Sequence, residues 1–254
     1  VVIAAGCVGL TAVAITDHDT LSAIAVARPE AARLGVELIG GVELTAVDDR
    51  GRELHILGHF VRDDDPELRA ATDALRIARA DRLHAMADRL AALGLQVDLA
   101  ALGQAFPRAT LGRRHLAEWL VRTQQVASHR DAFARYLGDG GRAQVAKPRL
   151  PWTQAIALIQ SAGGVAGLAH PPYDLGETAL RILVDGGLGA LEVAGPGIPT
   201  QRGARLRAWA DRLALVPIAG SDFHAPDRPG RWVGSITTAG PELERLRTRC
   251  GRKP

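Results

Sequence analysis

Thiols are scarce in this chain. Cys7 and Cys250 stand near opposite ends of its 254 residues. They can form neither a disulfide framework nor a C-x-x-C metal pair, and two incidental thiols suit a cytoplasmic protein. Aromatic residues make up 4%, and no basic run is interleaved with them, which argues against a binder of double-stranded DNA. No apolar run reaches about 18 residues, so no membrane span is expected. The first ten residues have no basic segment and no A-x-A-like site, so no signal peptide is expected. Also missing are a G-x-S-x-G elbow, a cysteine beside a histidine, and a Gly-rich loop after an early strand. Serine or cysteine nucleophiles and a doubly wound nucleotide fold therefore lose support.

What is present is 47% hydrophobic residues, enough for one large core or a core with a small inserted domain. Formal net charge is +3, carried mainly by arginine. A modest positive bias suits a small anionic substrate.

Short apolar strands alternate with helices. AVAIT (12–16) reads as a strand and is followed by a helix ending at Gly35. VELI (36–39) is closed by a Gly-Gly turn and followed by VEL (42–44). ELHILGHFV (53–61) is extended after the tight turn DDRG. Residues 66–138 are rich in Ala, Leu and Arg with helical periodicity. Within them a long amphipathic helix stops at Gly94. Alternation resumes at 152, with strands at VAGLAH, ALEVAG and LVPIAG and a last short strand at VGSITT (233–238). This predicts a parallel sheet covered by helices, closed as an α/β barrel of residues 1–65 and 147–254 with a helical insertion at 66–146.

The His, Asp and Glu residues fall just past strand ends. TDHD (16–19) follows the first strand, GVE (41–43) the second, and LAHP (168–171) and GSDFH (220–224) later ones. In an α/β barrel such ends converge on one face. Imidazoles and carboxylates without thiolates suit Zn, Mn or Fe. Several ligands around a shared carboxylate suit a multinuclear centre that clamps phosphate and acidifies water. Asp19 or Thr20 could instead cap the next helix. His55 and His59 share one face of their strand, so either could reach the site. His84 and His129 read as surface histidines.

TDHDT, GVEL, HILG, GLAHP and GSDFH, in this order and spacing, resemble the PHP (polymerase and histidinol phosphatase) phosphoesterases. The insert, with LGRRHLAEWL and FARYLGDGG before a KP segment, is most similar to the branch acting on 3′,5′-nucleoside bisphosphates and on short RNA from its 5′ end. The resemblance implies a distorted seven-stranded β/α barrel and up to three divalent ions, Mn first, with Zn or Fe as alternatives. It selects His18, Glu43, His55, His170, Asp222 and His224 as metal ligands, with Asp222, His224 and Glu43 carrying the chemistry. Arg113 and His115, in a GRPH-like segment where Arg114 replaces the usual Pro, become candidate phosphate contacts in an insert that covers the substrate. The implied activity is phosphate monoester hydrolysis by metal-activated water, on a small nucleotide or short RNA. The rivals are another phosphomonoesterase, such as one for histidinol phosphate, and an inert metal-binding remnant. The family carries an H-x-H motif on its first strand. This chain opens with Val1 inside a segment that reads as the end of a helix, so a fragment lacking that strand is expected.

Overall fold

The computed structural model describes residues 1–107, 111–224 and 229–251. The chain divides into two compact units, Val1–Asp73 with Arg149–Pro254, and Ala74–Pro148.

The first unit is built on a curled sheet of seven strands. These are β1 (Ala12–Ile15), β2 (Glu37–Val47), β3 (Glu53–His59), β4 (Leu150–Pro151), β5 (Val165–Leu168), β6 (Ala190–Ala194) and β7 (Val216–Ala219). Their order is β1-β2-β3-β5-β6-β7, with β4 on β2. Helices α2 (Ser22–Leu34), α7 (Trp152–Ser161), α8 (Glu177–Asp185) and α9 (Thr200–Arg212) connect strands, while α1 (Val2–Cys7) precedes β1 and α10 (Gly240–Arg249) follows β7. α2 stops where Gly35 takes φ 65° and Val36 N–H bonds back to Ala31 O, a left-handed C-terminal turn that glycine adopts without strain. Ile39, Leu57, Phe60, Val165, Ala190, Val216 and Ile218 form the core.

Three expectations are corrected. The sheet is mixed rather than parallel: β3 runs antiparallel to both β2 and β5. Only the short turn 48–52 joins β2 to β3, and so short a link makes a hairpin, never a crossover. Gly40-Gly41 is not a turn, because β2 passes straight through it. The glycines serve close approach instead. A Cβ on Gly41 would stand 2.7 Å from Thr16 Cγ2 and 2.8 Å from Ile15 O. Residues 233–238 form no strand. The Thr238 hydroxyl takes over pairing with β7, bonding Ala219 N at 2.9 Å and Ala219 O at 3.0 Å.

The second unit is helical. It takes up most of α3 (Pro66–Ala92), then α4 (Leu99–Ala105), α5 (Arg113–Arg122) and α6 (His129–Ala132), with a π-helical turn at Phe133–Leu137. Leu83, Met86 and Leu90 recur on one face of α3 and pack with Leu102, Leu116, Leu120 and Leu137 in a separate core.

Candidate metal centre

The site grows from the way β1, β2 and β3 end together. Beyond β1 the chain stays parallel to β2 through an isolated bridge between His18 and Glu43. Glu43 N–H bonds Asp17 O at 3.2 Å, and Asp19 N–H bonds Glu43 O at 2.9 Å. The buried Asp19 carboxylate does not cap α2. It accepts Thr45 N–H at 2.7 Å and the Thr45 hydroxyl at 2.9 Å, which fastens the His18 turn to β2. Glu43 therefore lies inside β2 rather than beyond a strand end. Because β3 is antiparallel, its early residue His55 reaches this same end, opposite Thr45.

Three candidate ligands converge on the carboxylate of a fourth, Glu43. His55 Nδ1 lies 2.8 Å and His170 Nε2 3.2 Å from its Oε1, and His18 Nδ1 lies 3.5 Å from its Oε2. His55 Nδ1 and His170 Nε2 are 3.0 Å apart. Burial pushes the Glu43 carboxyl up, but hydrogen bonds from His170 and His55 and the charges of His18 and His55 outweigh it and hold it well below the usual range. The Glu43 hydrogen bond raises the His170 imidazole against the opposing effect of burial. Asp17 is pushed up by burial, against the pull of His18 and His224.

Asp222 and His224 follow β7. They meet each other at 3.2 Å between Asp222 Oδ1 and His224 Nδ1, and Arg231 pairs with the second Asp222 oxygen. The His224 ring lies 6.2 Å from that of His18. Asp19, His170 and Asp222 all hold positive φ, at 53°, 26° and 49°. Such strained backbone gathers at functional sites. A cavity of about 610 Å³ between β1 and β7 is lined by His18, Glu43, His170, Asp222 and His224 together with Ile39, Leu57, His59 and Ile218.

Arg113 and His115 belong to the second unit, in the first turn of α5. Arg113 bonds Asp139 at 2.9 Å and Leu137 O at 3.3 Å. His115 Nδ1 accepts Gly112 N–H at 3.2 Å, and burial with the nearby Arg114 charge lowers its pKa. His129 pairs with Glu118 at 2.8 Å, and His84 bonds Ala80 O on its own helix.

Two residues at the site escaped the motifs. Glu53 meets His55 Nε2 at 3.0 Å. Glu192, buried in β6, accepts the His170 main-chain N–H. Burial raises its carboxyl to about 7; the His170 amide opposes this, while the charges of Glu43 and Asp222 add to it. The one sequence signal was a carboxylate inside the apolar run ALEVA.

The donor set fits a divalent cation. One donor atom each from His18, Glu43 and His55 lies within 4.8 Å of the others. Glu53 accepts at His55 Nε2, which turns Nδ1 toward Glu43 Oε1 and His170 Nε2. Three electron-rich atoms then crowd one point, and a cation resolves that crowding. Imidazole and carboxylate donors suit Zn, Mn or Fe.

A curled β/α sheet with a histidine–carboxylate cluster at one end is the architecture of a metal-dependent hydrolase. The chain is 34% identical over 228 residues to a 3′,5′-nucleoside bisphosphate phosphatase of Chromobacterium violaceum, covering 87% of this chain and 79% of that one. It is 33% identical over 224 residues to a 5′-3′ exoribonuclease of Haemophilus influenzae, covering 86% and 81%. A crystal structure from Bifidobacterium adolescentis described as a metal-dependent phosphoesterase superposes with a TM-score of 0.84 at 28% identity, over 98% of this chain and 89% of that one. No family model matches the chain. The chain belongs to the PHP family of metal-dependent phosphoesterases.

Proposed function

We propose that this chain hydrolyses a phosphate monoester of a nucleotide, with a 3′,5′-bisphosphonucleoside as first substrate and short 5′-phosphorylated RNA as second. The carrying observation is the convergence of His18, His55 and His170 on the two oxygens of one buried carboxylate, Glu43. The two relatives, named for a nucleoside bisphosphate phosphatase and an exoribonuclease, support the nucleotide.

His18, Glu43, His55, His170, Asp222 and His224 would hold divalent ions, Mn in preference to Zn or Fe, up to three in a form that also carries the family's H-x-H motif. Bound there, divalent ions supply positive charge to the phosphate oxygens and lower the pKa of water to produce the nucleophile. Glu43 would supply the shared carboxylate of the set, and Glu53 would keep His55 turned toward it. Arg113 opens α5, and a helix N-terminus with an arginine is suited to phosphate. With His115, in the helical insertion (66–146), it would contact a phosphate of the substrate. The two free thiols suit a cytoplasmic setting.

Phosphate release from a 3′,5′-bisphosphonucleoside with added Mn tests the reading. Asp222→Ala should lose at least about 100-fold in turnover, as expected when a charged ligand goes, and His84→Ala should keep it. Equal rates in the two variants would refute the site. Release from histidinol phosphate alone would move the substrate outside nucleotides. Ions bound with no turnover of either substrate would mark an inert metal-binding protein.

A further inference from the structure

His170 is held in a conformation that it would not adopt unaided. Its φ is 26°, outside the regions that side-chain-bearing residues occupy at low energy. Such backbone persists only where surroundings enforce it. Two anchors enforce it here. After His170, the Arg202 guanidinium of α9 donates to the carbonyls of Pro171, Pro172 and Tyr173, and its carbon lies 4.5 Å from the Tyr173 ring centre. At His170 itself, the N–H is taken by Glu192 Oε2.

Glu192 is otherwise out of place. It sits in β6 among Ala, Leu and Val, with 7% of its surface exposed. A carboxylate is buried at considerable cost unless it is satisfied. Its other oxygen is accommodated by two glycines: a Cβ would stand 3.3 Å from Oε1 at Gly195 and 3.4 Å at Gly220. The irregular pairing of β6 with β7 between Glu192 and Ala194 lies beside it.

We propose that Glu192 is a positioning residue: its carboxylate clamps the His170 amide in the left-handed conformation and thereby aims the imidazole at Glu43 and His55. The role rests on His170 being a metal ligand. The clamp needs a hydrogen-bond acceptor and not a charge, which separates it from direct coordination by Glu192.

The test is Mn titration of the metal-free protein by calorimetry, with hydrogen exchange at the His170 amide. His170→Ala should lose one tight site. Glu192→Ala should bind at that site about 10- to 100-fold more weakly, the usual effect of removing a group that orients a ligand. Glu192→Gln should stay within about 3-fold of the unaltered chain, because its amide oxygen still accepts the N–H. The His170 amide should exchange slowly in the unaltered chain and in Glu192→Gln.

If His170→Ala binds Mn like the unaltered chain, the ligand reading itself falls. If His170→Ala loses its ion while Glu192→Ala does not, the positioning role alone is wrong. If Glu192→Gln is as weak as Glu192→Ala, charge rather than acceptance matters, and the positioning role is overturned in favour of coordination. Should Glu192→Ala fail to fold, the His170 amide of the unaltered chain still decides, since exchange at the rate of an exposed amide removes the clamp.

Discussion

At the scale of single residues, His59 separates two jobs that the sequence could not. It shares a face of β3 with His55, yet it lines the cavity with the apolar Ile39, Leu57 and Ile218. Its Nδ1 is buried without a hydrogen-bond partner among the described residues. Burial lowers its pKa to about 4. Above about pH 6.5 both folded and unfolded chains carry it neutral, so it has no effect there. As pH falls from there toward 4, the unfolded chain takes the proton first. Stability is then lost, by at most about 3 kcal/mol, until the folded form also protonates. Urea unfolding between about pH 7 and pH 4 should fall less steeply for His59→Gln than for the unaltered chain; parallel slopes would refute the assignment. The candidate ligands were legible because each stands in a short motif. Asp19 and Glu192 were not, because their partners lie 26 and 22 positions away and become neighbours only once strand register is set.

At the scale of elements, the β-α alternation was legible from apolar runs and glycine stops. The direction of β3 and the course of β2 were not. Two adjacent glycines read as a turn, since turns are where glycine most often serves. In β2 they serve the opposite end, keeping a strand unbroken where Val61 crowds Gly40 and the end of β1 crowds Gly41. Gly41→Ala should therefore destabilise the chain by about 1–3 kcal/mol, the usual effect of overpacking, and should loosen the bridge between His18 and Glu43. At Gly103, inside α4, an added Cβ would meet nothing within 4 Å. Gly103→Ala should stabilise by about 0.5–1 kcal/mol through helix propensity alone. Urea denaturation of the two variants checks the contrast, and destabilisation by both, or by neither, would refute it. Residues 233–238 show the same limit. Their alternation reads as a strand, but the Thr238 hydroxyl already meets the N–H and C=O of Ala219.

At the scale of the molecule, the candidate site bears on stability as well as on chemistry. Glu43 is buried among three imidazoles drawn from β3, the turn after β1 and the turn after β5, so the ends of several strands meet at one carboxylate. Without a cation, His55 Nδ1, His170 Nε2 and Glu43 Oε1 must share protons to stay 2.8–3.2 Å apart. A divalent ion bound to this folded arrangement would find no equivalent in the unfolded chain. At 100 times its Kd it adds about 2.7 kcal/mol by mass action. For a unit of this size that is on the order of 5–10 °C in Tm. Scanning calorimetry with Mn and then with a chelator should show such a rise and its reversal. Glu43→Gln keeps the volume but removes the charge that draws the ion, so its Tm should hardly respond to Mn. Its metal-free stability should also fall, because His55 and His170 lose the carboxylate that they face. If Glu43→Gln gained as much from Mn as the unaltered chain, the ions would bind elsewhere, and the convergence on Glu43 would be a packing feature of the sheet's end.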